Sequence, residues 1–312
     1  MHLIRRSFLL AVIACSTVRV YASDSVDLKD GVPAFKVTAP SGRTSILIGS
    51  IHVGVEGLRQ PDSTVFDNVR RYVVEQVEGE GPQVPQLTLS KEVIARKVTS
   101  GKWSRAPWAT GLGERELVGL KERLLCNGFP QPSNAEDAAG MLLALERPLL
   151  AAAFAIRRCS PGNLPSRDTI LARYAADRKI PVSSLELNAE VESRRLAVDD
   201  RIYVDTIRTA MTDQQTQAML AVTKAIDSGD YDSVILILRK LAANEKDFAT
   251  FRRLMIDDRN EAWIPRLIGY LDEGDAFVNV GAAHIAGKKG LVSLLVAGGY
   301  RVETVLLPIA AH

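Results

Sequence analysis

Residues typical of β-strands are concentrated near the two ends of this chain, and residues typical of helices fill the long stretch between them. The β-rich runs Ala34–Ala39 and Thr44–Gly49 lie on either side of a Pro-Ser-Gly turn and predict an antiparallel hairpin. Further strand-like runs lie at Arg71–Val77, Ala276–Val280 and Tyr300–Leu306. The last two flank one short helical segment and predict a parallel strand–helix–strand crossover. The sequence therefore predicts an α/β (α+β) fold whose central mixed β-sheet is built from the N- and C-terminal segments.

The middle of the chain, about residues 87–273, predicts a large helical insertion into that sheet. Within it, Ser133–Cys159 predicts one long helix bent near Pro148, and Pro181–Leu187 predicts a short strand. A helix is also expected near Ser63–Arg70, just before the third strand. No linker, repeat or low-complexity tract interrupts the chain. We therefore expect one domain over residues 23–312, with sheet segments at about 33–80 and 275–307.

The first 22 residues have the pattern of a secretory signal peptide. Arg5 and Arg6 precede the apolar run Ser7–Ala14, which is far shorter than the roughly 20 residues that span a bilayer. Small residues then predict cleavage before Ser23 and a periplasmic or secreted protein. The alternative is a bacterial lipobox ending at Cys15, which would anchor the protein to a membrane through a lipid.

Charge and cysteine content both change if this segment is removed. The whole chain has 39 Lys and Arg against 37 Asp and Glu, but three arginines and no acids lie in residues 1–22. The mature chain would therefore carry 36 basic and 37 acidic residues, a balance that gives no support to nucleic-acid binding. Two cysteines, Cys126 and Cys159, would remain. In an exported protein they can form one disulfide if their Cα atoms approach closely enough.

Two histidines lie inside the chain, and both occur in the same local pattern. His2 and His312 are terminal, which leaves His52 and His284. Each follows an apolar strand and a glycine, as Gly49-Ser-Ile-His52 and Gly281-Ala-Ala-His284. Ligands of α/β proteins collect at the carboxyl ends of strands, where glycine lets the backbone and a ligand approach closely. The repeated Gly-x-x-His pattern therefore predicts that both imidazoles belong to one functional site.

Two carboxylates in apolar strands are candidates to join the histidines. Glu75 follows Val73 and Val74, and Glu186 lies between two leucines. Two histidines with one or two carboxylates suit a divalent transition metal that keeps open positions for water. Such an ion would activate water and polarise a scissile carbonyl. The alternative for each glutamate is a solvent-facing position on an amphipathic strand.

These motifs, in this order, resemble the TraB/GumN family. The resemblance rests on Gly49-Ser-Ile-His52 with Val53-Gly54, Val74-Glu75, Arg259-Asn260 with Trp263, and Gly281-Ala-Ala-His284 with Gly287. Relatives of the family are the TIKI metalloproteases that cleave Wnt proteins and, more remotely, erythromycin esterase and ChaN-like proteins. The resemblance implies an EreA/ChaN-like fold and a metal-dependent hydrolase, with manganese or cobalt as the ion and zinc as an alternative.

The resemblance also implies roles for single residues. His52, Glu75 and His284 would be metal or catalytic residues, and Glu186 would be a further metal ligand. Arg259 would hold a substrate carboxylate or stabilise an oxyanion. Its alternative is a helix-surface pairing with a neighbouring aspartate. The chain departs from the family where Glu75 is followed by Gln-Val rather than Val-Asp, which reduces the carboxylate set.

We therefore expect an exported metal-dependent hydrolase, of metalloprotease or peptidase type, that acts on a peptide or protein. A second hypothesis is a non-catalytic protein that binds peptides or pheromones. A third is a heme- or metal-binding accessory protein. No nucleic-acid partner is expected, and a membrane is a partner only if Cys15 is lipidated. The sequence leaves the oligomeric state open.

Overall fold

The computed structural model describes residues 31–77, 89–126, 132–157, 159 and 164–310, with the side chains of 132–134 excepted. The expected signal peptide and the alternative lipobox lie outside these residues. Within them, no helix combines the length and apolar character that a membrane span requires.

In the part of the chain that the structure describes, six strands form one mixed sheet, and the strands from the two ends of the chain interleave. They are β1 (Val32–Thr38), β2 (Thr44–Ser50), β3 (Arg71–Val74), β4 (Val182–Ser184), β5 (Ala276–Gly281) and β6 (Arg301–Leu307). The spatial order is β4-β3-β5-β2-β1-β6. β1 and β2 form the expected antiparallel hairpin, whereas β2, β5, β3 and β4 run parallel. The C-terminal strand β5 therefore lies between two N-terminal strands, which confirms the sheet predicted from the two ends.

The predicted crossover from β5 to β6 is present, and it passes over two strands. β6 pairs antiparallel with β1, and β1 pairs antiparallel with β2, so β6 points in the same direction as β5. The short helix predicted between β5 and β6 forms and crosses one face of the sheet.

Helices account for most of the remaining described residues. They are α1 (Lys91–Ser100), α2 (Glu114–Cys126), α3 (Pro132–Ala144), α4 (Leu149–Ile156), α5 (Arg167–Asp177), α6 (Asn188–Ala197), α7 (Asp200–Ala210), α8 (Asp213–Asp227), α9 (Tyr231–Leu241), α10 (Glu245–Arg252), α11 (Asp258–Glu273) and α12 (Leu291–Ala297). A π-helical turn, Arg253–Asp257, joins α10 to α11.

Two helix predictions were wrong in length. The segment Ser63–Arg70 forms only a 3-10 turn over Ser63–Phe66, since the chain must become extended at Arg71 to pair with β5. The long helix over Ser133–Cys159 is broken rather than bent: α3 ends at Ala144, and α4 begins after Pro148. Proline has no N–H to donate, and its ring clashes with the carbonyl four residues earlier, so the break falls between the two helices.

Both faces of the sheet are buried at its central strand β5, each against its own helices. Alternate residues of β5 point to opposite faces. Phe277 packs with Leu171 and Ala175 of α5, whereas Val278 packs with residues of α8, α9, α11 and α12. All six residues of β5 are buried, and each large apolar side chain there contributes about 2 kcal/mol through burial. Residues of α2, α3, α4, α6 and α7 form a further core inside the helical insertion.

The two cysteines that remain after residue 22 are bonded to each other. Cys126, at the end of α2, forms a disulfide with Cys159, and their Cα atoms are 5.3 Å apart. The bridge joins two parts of the helical insertion that are 33 residues apart in the sequence.

Candidate functional site

The two Gly-x-x-His motifs lie side by side because β2 and β5 are parallel neighbours. Their register pairs Gly49 with Val280 and Ser50 with Gly281. Both strands end at the same edge of the sheet, where His52 follows in a loop and His284 lies in the 3-10 turn Ala282–His284. The parallel pairing thus brings together two motifs from opposite ends of the chain.

Glu75 follows β3, on the other side of β5, and its carboxylate lies between the two imidazoles. Oε1 is 3.5 Å from His52 Nε2 and 4.0 Å from His284 Nε2. The same oxygen accepts a hydrogen bond of 2.6 Å from the Gly281 N–H, and Oε2 accepts one of 2.6 Å from Arg259. Glu75 is therefore not a solvent-facing strand residue, since its side chain is 14% exposed.

Gly281 leaves open the space in which these groups converge. A Cβ atom at this position would lie 2.8 Å from His52 Nε2 and 3.0 Å from Glu75 Oε1. Gly49 has a different role, because a Cβ there would collide with the ring of Tyr231. The two motif glycines are thus required for different reasons, one by the site and one by packing.

His284 is buried, and α11 holds its ring in one orientation. The Asn260 amide donates through Nδ2 to the carbonyls of His284 and Lys289, so its Oδ1 faces the imidazole as an acceptor, 2.7 Å from Nδ1. Nδ1 must then be the protonated nitrogen, which leaves the lone pair on Nε2. Arg259 donates to this Nε2 at 3.2 Å, and the Trp263 ring packs against the imidazole.

His52 is held from the opposite face of the sheet, by α5. Its Nδ1 lies 3.1 Å from Asp168 Oδ1, and its side chain remains 55% exposed. The site thus opens to solvent at His52, whereas His284 forms its buried wall. Sequence reasoning missed Asp168, because an acidic residue in the first turn of a helix is an ordinary favourable feature there. No local signal distinguishes it from such a residue.

Arg259 is the buried centre of the polar contacts and not a helix-surface residue. It donates through Nε and a terminal nitrogen to Glu186, with distances from 2.5 to 3.2 Å, and through a terminal nitrogen to Glu75. The neighbouring aspartates pair with Arg252 and Arg253 instead. Glu186 is 2% exposed and directs both of its oxygens to Arg259. The structure thus places Glu186 as the partner of the guanidinium.

The charges in the site are set by these contacts. Burial opposes a charge on Glu75, but Arg259 and His52 outweigh it and hold the pKa of Glu75 well below its usual value. Partial loss of hydration also opposes a charge on His52, but hydrogen bonds to Asp168 and Glu75 outweigh it and raise the pKa of His52 to about 10. Burial lowers the pKa of His284 to about 3, so this imidazole is neutral at pH 7.

The residue types are ones that a divalent ion accepts as ligands. Each imidazole has its Nδ1 bound to an acceptor and its Nε2 directed towards Glu75, which is the usual arrangement around metal-binding histidines. The vacant side of Gly281 adjoins the same atoms. Among the residues that the structure describes, however, no three His, Cys, Asp or Glu side chains are assembled as a complete metal cluster. Binding would also require His52 to lose the proton on its Nε2, and the Arg259 N–H to move away from the lone pair of His284 Nε2.

We predict that replacing Arg259 by Met costs about 3–5 kcal/mol of unfolding free energy, because it leaves the buried Glu186 charge without its partner. The Arg259→Met/Glu186→Gln double variant should recover part of that loss. Arg253→Met is the matched control, because its ion pair with Asp258 is exposed and should contribute less than about 1 kcal/mol. Urea denaturation measures the unfolding free energy of each of the three variants. Equal losses for the Arg259 and Arg253 variants would contradict this role of the buried pair.

Comparison with known proteins agrees with the motifs. No curated protein and no solved structure gives a significant match to this chain. The model of the TraB/PrgY/gumN family matches residues 33–304. This range includes both Gly-x-x-His motifs and the six described strands, except Val32 of β1 and the last three residues of β6. The chain therefore belongs to the TraB/PrgY/gumN family.

Proposed function

We propose that the chain is a metal-dependent hydrolase whose divalent ion is bound by His52, Glu75 and His284. The observation that carries the proposal is the approach of both Nε2 atoms to one carboxylate oxygen, at 3.5 and 4.0 Å. A bound ion would lower the pKa of a water molecule and polarise a substrate carbonyl. The choice of manganese or cobalt as the ion rests on the resemblance to the TIKI branch, and zinc is the alternative.

The residues around the ion site have separate tasks in this proposal. Asn260 keeps the proton of His284 on Nδ1, so that Nε2 carries the lone pair that an ion would need. Arg259 keeps Glu75 charged and fixes its position, so that the carboxylate can hold a cation or accept a proton from water. Arg259 uses its N–H groups on Glu75, Glu186, His284 and the Met255 carbonyl. It therefore acts on the substrate through Glu75 and not as a direct anchor.

The substrate would enter at His52, because that side chain is 55% exposed whereas the side chain of His284 is 6% exposed. A peptide bond as the substrate rests on the resemblance to the TIKI metalloproteases. A second candidate is hydrolysis without a metal. The contact that favours it is the hydrogen bond from Arg259 to His284 Nε2, which occupies the lone pair that an ion would need.

Metal binding is the first test. We expect isothermal titration with Mn²⁺, Co²⁺ and Zn²⁺ to show one site, and the His52→Ala/His284→Ala variant to weaken it by about 100-fold or more, since it removes two ligands. The control His312→Ala, which removes the C-terminal imidazole, should bind normally. Gly281→Ala should also lose the site, whereas Gly269→Ala, where an added Cβ meets nothing, should not. Equal affinity of the double-histidine variant and the wild type would contradict the proposed ligands.

Cleavage of a peptide library is the second test. We expect cleavage by the Mn²⁺- or Co²⁺-loaded protein, and a loss of about 100-fold or more in Glu75→Gln, which keeps the shape of the side chain and removes its charge. Glu273→Gln, on an exposed carboxylate, is the control. Cleavage that survives complete chelation would favour the metal-free candidate. Peptide binding without cleavage would favour the capture hypothesis, and a Soret band on hemin titration would favour the heme accessory.

We further propose that the chain is exported. The Cys126–Cys159 disulfide supports this, because such bonds persist in oxidising compartments. Mass analysis of the protein expressed with its own N-terminus should give a chain that starts at Ser23, and Cys15→Ser should not change it. A lipid label that is lost in Cys15→Ser would establish the lipoprotein alternative. Retention of residues 1–22 in the cytoplasm would contradict export.

A further inference from the structure

Three donors from the sheet and its loops converge on the carboxylate of Asp168, at the start of α5. Asp168 Oδ1 lies 3.1 Å from His52 Nδ1 and accepts a hydrogen bond of 2.9 Å from Asn279 Nδ2. Oδ2 accepts a hydrogen bond from the Ser50 hydroxyl. Ser50, the last residue of β2, and Asn279, within β5, are almost fully buried. The position of the carboxylate is therefore fixed by the two strands that carry the histidine motifs.

The orientation of Asn279 follows from its surroundings. Its Nδ2 also lies 3.2 Å from the hydroxyl of Tyr72, so the nitrogen faces two oxygen atoms. The reversed amide would place its oxygen against the Asp168 carboxylate. Asn279 thus acts as a donor that holds Asp168 Oδ1 in place while the same oxygen accepts from His52.

Asp168 also supports the backbone conformation of His52, through Ser50. His52 has φ of +59°, in the left-handed region that residues other than glycine seldom adopt. Ser50 Oγ accepts a hydrogen bond of 3.3 Å from the His52 N–H and donates its own proton to Asp168. Asp168 therefore holds both the ring and, through Ser50, the main chain of this histidine.

Arg167, the residue before Asp168, connects α5 by hydrogen bonds to the segment that contains Gly49 and His52. Arg167 is 1% exposed and donates to the carbonyls of Gly49 and Arg59, at 2.6 and 2.7 Å. These carbonyls lie just before Ser50 and at the far end of the loop that contains His52. Arg167 thereby fixes the distance between the first turn of α5 and the first histidine motif.

We propose that Asp168 is the positioning residue for His52, and that it holds the ring so that Nε2 faces Glu75 and the ion. The role towards the ion rests on the proposed function; the role in holding the ring does not. Asp168 contacts Nδ1, the nitrogen of His52 that does not face Glu75, so it acts on the ion through the ring. Asn279 and Ser50 support it from the sheet.

Nitrogen-15 NMR of the metal-free protein tests the hold on the ring directly. The chain has few histidines, and the His52 signals are assigned by their loss in His52→Ala. We expect a hydrogen-bonded Nδ1–H of His52, protected from exchange, in the wild type and in Asp168→Asn, whose amide oxygen can still accept. Asp168→Ala should lose that signal, since an exposed imidazole N–H exchanges rapidly. The matched control Asp227→Ala removes a carboxylate that binds Arg59 in the same loop and should keep the signal.

Titration with Mn²⁺ tests the role towards the ion. Asp168→Ala should weaken binding by about 10- to 100-fold, as outer partners of metal-binding histidines do, and Asp168→Asn should restore most of the affinity. Asp227→Ala should bind like the wild type. A protected Nδ1–H in Asp168→Ala overturns the proposal, and so does an unchanged affinity in that variant when the wild type binds the ion. A wild type that binds no ion overturns the proposed function instead, and the NMR result then decides the role of Asp168 alone.

Discussion

The parallel pairing of β2 with β5 is the contact on which the rest of the site depends. It joins the second strand of the chain to the fifth, across the whole helical insertion, and sets Ser50 opposite Gly281. Burial on both faces stabilises β5 in this central position, because each of its apolar side chains packs against helices. A shift of this register by one residue would turn Asn279 and Val280 to the wrong faces of the sheet. The geometry of the two histidines is thus a consequence of strand pairing and not of either motif alone.

The helices on the two faces complete the site in matching ways. On one face, α5 supplies Asp168 to Nδ1 of His52, and on the other, α11 supplies Asn260 to Nδ1 of His284. Each ring is thereby fixed through the nitrogen that points away from Glu75. Arg259 offsets the burial of two glutamates at once, and a buried carboxylate without such a partner would be strongly unfavourable. The helical insertion therefore supplies the contacts that orient the site, in addition to covering the sheet.

Much of this arrangement could be predicted from the sequence, because it depends on local patterns. Strand runs at both ends predicted the sheet, and the repeated Gly-x-x-His predicted that His52 and His284 meet at one edge of it. Glu75 was a candidate to join them, but the position of β3 beside β5, which places that carboxylate between the imidazoles, was not predicted. The sequence could not predict which side chains contact each other when they are far apart along the chain. Asp168 looks like a helix-start acid, and Arg259 looked equally suited to a surface pair or to a substrate anchor. Their actual partners depend on how α5 and α11 pack against the sheet, which no short motif encodes.

The central claim is that two imidazoles from opposite ends of the chain and one glutamate bind a single ion. Anomalous X-ray diffraction from crystals soaked in Mn²⁺ or Co²⁺ tests it most directly. The account predicts one strong peak about 2.0–2.3 Å from His52 Nε2, His284 Nε2 and a Glu75 oxygen, beside the vacant side of Gly281. A peak at another position would contradict it. So would crystals at saturating metal in which Arg259 still donates a hydrogen bond to His284 Nε2.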